Sequence, residues 1–222
     1  MPARPSKRLT AVIALAAILA VPFVLLSVAQ GIDGLRGAPR EPTRFFHPGA
    51  PLSNLSIFTH MMAGGIITAL ALVQAVPHIR VRWPKLHRIS GRITVAGALL
   101  TALGGLTYIA VQGTIGGRGM SVGFALYGLL LAGAAGMTYR TARARNRPAH
   151  RRWGLRLVWL AIGSWLYRVQ YGLWYALTGG AGSTEAFDGP FDQVMFVGFF
   201  LPHLLLLEIY LRRDVEPVPR HG

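Results

Sequence analysis

Six stretches of the chain are apolar almost throughout: residues 9–30, 54–77, 93–112, 119–139, 154–178 and 190–211. Each is long enough to cross a hydrocarbon core, which takes roughly 20 helical residues. The runs are too long and too uniformly apolar for barrel strands, and backbone amides inside lipid must be satisfied within their own segment. Helix is therefore the predicted state. The intervening gaps are short except for residues 31–53, rich in Pro and Gly and carrying Phe45, Phe46 and His47, which predict an irregular external loop at the bundle mouth. The expected architecture is an all-α polytopic transmembrane bundle of six helices, a single integral membrane domain over residues 1–222. The core bundle falls at 54–211, with the first helix, 9–30, peripheral.

That first run follows Arg4, Lys7 and Arg8, and Ser27-Val28-Ala29 has the look of a signal-peptidase site. Its apolar stretch exceeds the roughly 7–15 residues of a signal core, so an uncleaved anchor is expected.

Composition agrees. The chain is 52% hydrophobic and 14% charged, where a soluble domain carries about 25% charged residues. A net charge of +15 on a soluble chain would suggest a nucleic-acid surface. Here the cations lie in gaps between apolar runs and no soluble region exists to carry such a surface. The expected partner is the lipid bilayer, with anionic headgroups at the basic turns, and not nucleic acid. The absence of cysteine removes disulfides, thiolate metal sites, iron–sulfur clusters and cysteine nucleophiles.

The charges also alternate. The N-terminus, the gap holding Arg80, Arg82, Lys85, Arg88 and Arg92, the gap from Arg140 to Arg152, and the C-terminus with Arg212, Arg213 and Arg220 together carry 17 basic residues. The alternate gaps carry 4 (Arg36, Arg40, Arg44 and Arg118) and most of the acids: Asp33, Glu41, Glu185, Asp188 and Asp192. The positive-inside rule then predicts a multi-pass protein of the bacterial plasma (inner) membrane with both ends in the cytoplasm. The tail Asp214–Gly222 is polar and is expected to fray.

Polar groups at membrane depth are costly, so each is a candidate for function. They are His60, Arg168, His203 and Glu208, with His87, His150 and Arg156 near the cytoplasmic interface. At 1.5 Å per residue, His60 lies roughly 9 Å and Arg168 roughly 15 Å below the external edge, so the two share the external half. Arg156 is at a depth to pair with Glu208. Arg168 is open to three readings: a structural cation, the holder of an anionic group such as a haem propionate, or a lipid-facing side chain that snorkels to the interface.

Membrane histidines raise b-type haem, which needs two imidazoles at one depth on facing helices. His87 with His150 satisfies the depth condition and has arginines beside it for propionates; His60 with His203 is separated by roughly 11 Å in depth and fits poorly. No HxxH, HxxxH or ExxH pair lies on one helix, so no metal site is predicted. Walker A, GxSxG and HExxH patterns are absent. The glycines of Gly113–Gly119 predict a turn with positive φ, and Gly128, Ala132 and Gly136 predict a packing seam. Trp83, Trp153, Trp174 and Tyr175 predict an interfacial aromatic belt.

Several short blocks follow one another along the chain. They are Thr59-His60, LVQAVPHIR ending at Arg80, LHRISGR at 86–92, HRRWGLRL at 150–157, Tyr167-Arg168, and PHLLLLEIYLRR at 202–213. In this order the chain resembles a bacterial membrane-protein family catalogued as domain of unknown function 2306, over residues 54–211. The resemblance implies that His60, His87, Gly91, Arg92, His150, Trp153, Arg156, Arg168 and Glu208 occupy the family's marked polar positions. It also implies that His203, where the family commonly has Asn, is no general ligand. It brings no established activity. Three functional readings stay open. One is a non-catalytic membrane scaffold. The second is a b-type haem or redox protein with His60, His87 and His150 as ligands and Arg88, Arg92, Arg152 and Arg168 toward propionates. The third is a transporter-like handler of small solutes or lipids with His60, Arg168 and Gln74 in a cavity, though the sequence shows neither repeated halves nor broken helices.

Overall fold

A computed structural model describes residues 7–37 and 43–213, with side chains from Thr10 onward in the first stretch. Arg4, Arg40, Glu41, Arg220 and the tail from Asp214 lie outside the described residues, as do the side chains of Lys7 and Arg8. The described residues form helices and no strand: α1 (Lys7–Leu35), α2 (Pro51–Ala75), α3 (Pro77–Arg82), α4 (Pro84–Gln112), α5 (Gly117–Arg143), α6 (Arg147–Ala161), α7 (Gly163–Thr178), α8 (Pro190–Gly198) and α9 (Leu201–Arg213). This is the all-α membrane bundle that the apolar pattern predicts.

Five segments are long and apolar enough to cross a membrane: Thr10–Leu35, Pro51–Ala75, Pro84–Gln112, Gly117–Arg143 and Pro190–Arg213. The predicted run 154–178 is not among them. It is divided between α6 and α7, and it carries Arg156 and Arg168. Two boundaries also move. Pro84 occupies the first turn of α4 and starts it well before residue 93. Residues 31–53 shorten to a loop because α1 continues to Leu35 and α2 begins at Pro51.

The central element is α2, which packs against α1, α4 and α6. Its buried face includes Phe58, Ala63, Ile67, Thr68 and Ala71. Around Ile67 and Ala71 the core is built of small residues, Ala98, Ala102, Ala134 and Ala135. Small side chains let backbones approach closely where lipid supplies no hydrophobic drive between helices. α1 lies chiefly along α2, where Gly34 leaves room for the Phe58 ring and a Cβ at Gly31 would stand 2.7 Å from the Met62 amide. The predicted glycine seam of α5 is only partly present. Gly128 does meet Leu106, but Gly136 has nothing within 4 Å. The close glycines are instead Gly119 and Gly123, which receive Phe196 of α8. The turn glycines Gly113 and Gly117 have φ of 74° and 73°, as their sequence suggests.

Two spans are interrupted, contrary to the expectation of unbroken helices. α6 and α7 meet at Ile162, where the hydroxyl of Tyr127 in α5 donates to the Leu160 carbonyl and the Ser164 amide faces the same oxygen. The phenol is thus inserted where a Ser164–Leu160 ladder bond would run. Thr68 of α2 donates to the next carbonyl, Ala161, at 3.1 Å. A side chain inserted into the ladder is one of the few causes of a sharp bend. Gly163 makes it possible, since a Cβ there would sit 2.9 Å from the Tyr127 hydroxyl. The second break, at Phe199–Phe200 between α8 and α9, precedes Pro202, which has no amide to return to Gly198. Tyr127 touches this break too, its ring 5.0 Å from Phe199 and 5.3 Å from Phe200.

Candidate functional site

The bend at Ile162 creates the site. α6 packs on α2, but beyond the bend α7 has no extended backbone packing against α1, α2 or α4, and only Gly163 and Trp165 are buried in it. α7 is held instead to α8 through stacked Trp174 and Phe191 (4.4 Å, 3°), and α8 is held to α5. In the half of the bundle bearing the cation-poor turns, the gap between the backbones of α7 and of α1 and α2 is bridged by side chains: Arg168 lies over Phe23, and Trp165 shares a buried cluster with Ala20 and Ile67. Its floor is the crossing of Thr68 with Ala161.

Arg168 reaches into this gap from α7. Its Nη1 donates to the carbonyl (2.9 Å) and hydroxyl (3.0 Å) of Ser164, one turn back, and its guanidinium lies 4.8 Å over the Phe23 ring of α1. Among the described residues it makes no further hydrogen bond and no ion pair, and its side chain is exposed. His60 on α2 is within electrostatic reach of it, as are Tyr127 and Tyr167. Depth alone put His60 and Arg168 in one half, and the structure brings them into one neighbourhood.

The placement of His60 is tightly determined. Its Nδ1–H donates to the Thr101 carbonyl at 2.7 Å, which leaves the lone pair on Nε2. The ring sits in a notch of α4: a Cβ at Gly105 would lie 2.8 Å from Nδ1, and one at Gly104 would lie 2.6 Å from the Ser56 carbonyl. The Thr101 hydroxyl and the Gln170 carbonyl oxygen are buried beside no partner.

Residues Thr43–Ala50 fold back over this end. His47 Nε2 meets the Tyr108 hydroxyl at 3.2 Å, Phe46 packs against Phe58 with centroids 6.4 Å apart, and Arg44 lies 5.3 Å over Phe187 in the α7–α8 turn. That turn is itself tied down by Asp192, fully buried, whose carboxylate accepts from the Tyr171 and Ser183 hydroxyls and from the Thr184 and Gly189 amides. Asp192, in the first turn of α8, serves to hold this loop and is not a counter-ion for Arg168.

The arginine-rich end is organised differently. Arg156 grips Glu208 with two parallel bonds, Nε to Oε1 at 2.5 Å and Nη2 to Oε2 at 2.8 Å, while its guanidinium lies 4.5 Å over Trp153. Arg152 donates to the Leu211 carbonyl and Arg151 to the Tyr210 hydroxyl, so α6 and α9 are clamped together. His87 and His150 are within electrostatic reach of one another. The Nδ1–H of His150 donates to the Thr138 carbonyl at 3.1 Å, whereas His87 Nδ1 is buried without a partner. Arg92 is exposed and Arg152 is committed to α9. Gln74 lies here, bonded to the His87 carbonyl and the Ser90 hydroxyl and in van der Waals contact with the position a Gly91 Cβ would occupy. It does not join His60 and Arg168. His203 stacks on Trp159 and makes no contact with His60.

Tyr127, the Gly104-Gly105 notch and Asp192 are absent from the sequence-derived set. The adjacent glycines facing a histidine one helix away leave a trace only in retrospect. Tyr127 carries none, because its role depends on a bend in another helix.

The fold and its internal polar groups define a polytopic α-helical membrane protein. The chain belongs to the family described as predicted membrane protein (DUF2306), whose model matches residues 57–211. No curated protein and no solved structure matches it.

Proposed function

We propose that the protein binds an anionic solute in the gap beside α7, with Arg168 as the charge anchor and His60 as a polar partner. One observation carries this reading: a guanidinium at membrane depth with no carboxylate to neutralise it among the described residues. An uncompensated cation in such surroundings is costly, so an anion that arrives with the right geometry gains strongly. The interrupted α6–α7 segment supports the reading, since broken helices are a common way to line a solute site inside a bundle. In the same reading α6 and α7 together form the sixth crossing. Both ends then lie in the cytoplasm of a bacterial inner membrane, with anionic headgroups at α3 and the Arg140–Arg152 turn.

The test is the unfolding midpoint of the detergent-purified protein with hexanoate and with hexanol. Hexanoate raises it in the wild type and not in Arg168→Ala, while hexanol raises neither. A hexanoate shift of equal size in both proteins removes Arg168 from any site and returns the chain to the scaffold reading.

A second reading, b-type haem at the other end, is favoured by the proximity of His87 to His150 and by the Thr138 carbonyl, which leaves the Nε2 lone pair of His150 available. Expression with added haem, followed by an absorption spectrum, decides it. A Soret band lost in His150→Ala supports it, and a flat spectrum rules it out.

A further inference from the structure

Resting on the anion-binding reading, we propose that the ligand is a membrane-dissolved amphiphile with a carboxylate head. It enters sideways between α1 and α7, its head on Arg168 and its chain along α1. Three observations lead there.

The first is which edge of Arg168 is free. Ser164 occupies Nη1 twice, through its carbonyl and its hydroxyl. The side-on edge formed by Nε and Nη2 has no partner among the described residues. That edge presents two parallel N–H groups, the fork that matches the two oxygens of a carboxylate. The chain itself shows the pairing it suits, because Arg156 holds Glu208 through the same Nε and Nη2 atoms.

The second is the route. The aqueous end of the gap is covered by Thr43–Ala50, fastened to α4 through His47 and Tyr108, to α2 through Phe46 and Phe58, and to the α7–α8 turn through Arg44 and Phe187. The floor is closed by Thr68 and Ala161. The side between α1 and α7 has no extended backbone packing and is bridged by side chains, chiefly Phe23 and Arg168. Among the described residues, no such cover faces a ligand coming from the bilayer.

The third is the lining on that side. Phe23 lies directly against the guanidinium, and Leu19 and Leu26, one turn before and after it on the same face of α1, are both exposed. An alkyl chain laid there exchanges lipid contacts for protein contacts at little cost, while the head exchanges the headgroup region for a fork. A compact hydrophilic anion has no use for that surface.

The experiment uses the full chain in phosphatidylcholine nanodiscs and palmitate carrying a mid-chain diazirine. Irradiation and peptide mass spectrometry are expected to place adducts on α1 around Phe23 and on α7. Competition by palmitate should exceed that by hexadecanol at least tenfold, the range expected for a charge-assisted pair. Arg168→Lys keeps the charge but cannot offer a fork, and should lose at least tenfold in labelling if the fork sets affinity; because it preserves the cation it also guards against a misfolded alanine variant. Adducts confined to Thr43–Ala50, or equal competition by palmitate and hexadecanol, overturn the proposal. Retention of the Arg168-dependent hexanoate shift alongside either result leaves anion binding standing and shows that the ligand arrives from water.

Discussion

Replacing Tyr127 by Phe removes a single oxygen that serves two backbone groups at the α6–α7 bend. The hydroxyl donates to the Leu160 carbonyl and faces the Ser164 amide. Straightening the helix would re-form the ladder bond between those groups, but the phenyl ring left in the variant stays against Gly163, where a Cβ would already lie 3.0 Å from a ring carbon. The bend therefore persists with both groups unpaired. Interhelical hydrogen bonds in membrane proteins average about 0.6 kcal/mol and reach about 1.7. Loss of a donor and an acceptor together places Tyr127→Phe near the top of that range, about 1.5 kcal/mol. Thr68→Val removes a hydroxyl whose one proton is shared between Ala161 and, more closely, Gly64 of its own helix at 2.8 Å, and belongs near the average, about 0.6 kcal/mol. Sodium dodecyl sulfate titration of protein in dodecyl maltoside, followed by the fluorescence of the five tryptophans, measures both. A Tyr127→Phe variant within about 0.3 kcal/mol of wild type, or a Thr68→Val variant more damaged than it, refutes the idea that the phenol holds the bend.

Glu208→Gln should cost about 1–2 kcal/mol, below the 3–5 of a fully buried pair because the two side chains are 20% and 35% exposed. A double-mutant cycle with Arg156→Gln should return most of that as coupling. Gly104→Ala, which pushes a methyl toward the Ser56 carbonyl, should destabilise by about 1–3 kcal/mol. Gly136→Ala, with open space around it, should be neutral or stabilising in the same titration. Asp192→Asn replaces an acceptor of four hydrogen bonds by an amide that cannot accept them all, so cleavage by proteinase K between Gly179 and Gly189 should quicken. An unchanged rate there removes Asp192 as the anchor of the turn.

What the sequence discloses follows from how strongly each feature is written in composition. Spans such as 54–77 are legible because lipid imposes the same demand on every residue. The Arg156–Glu208 pair is legible because opposite charges at one depth have few alternatives. The α6–α7 bend is not, since Gly163 alone is an ordinary membrane-helix residue and the group that exploits it comes from α5. The grouping of Gln74 with His60 and Arg168 fails for a related reason. All are polar and intramembrane, but Gln74 lies about four helical turns nearer the arginine-rich end than His60 and spends its amide on the start of α4. The helical start at Pro84 is hidden by the basic residues 85–92, whose side chains reach out from a helix as readily as from a loop.

The most direct measurement is an experimental structure of the protein in nanodiscs supplied with palmitate. Density for a carboxylate against Nε and Nη2 of Arg168, with its chain leaving between α1 and α7, is the expected result. A side-chain carboxylate of the protein occupying that edge, with the α1–α7 side sealed, would contradict it.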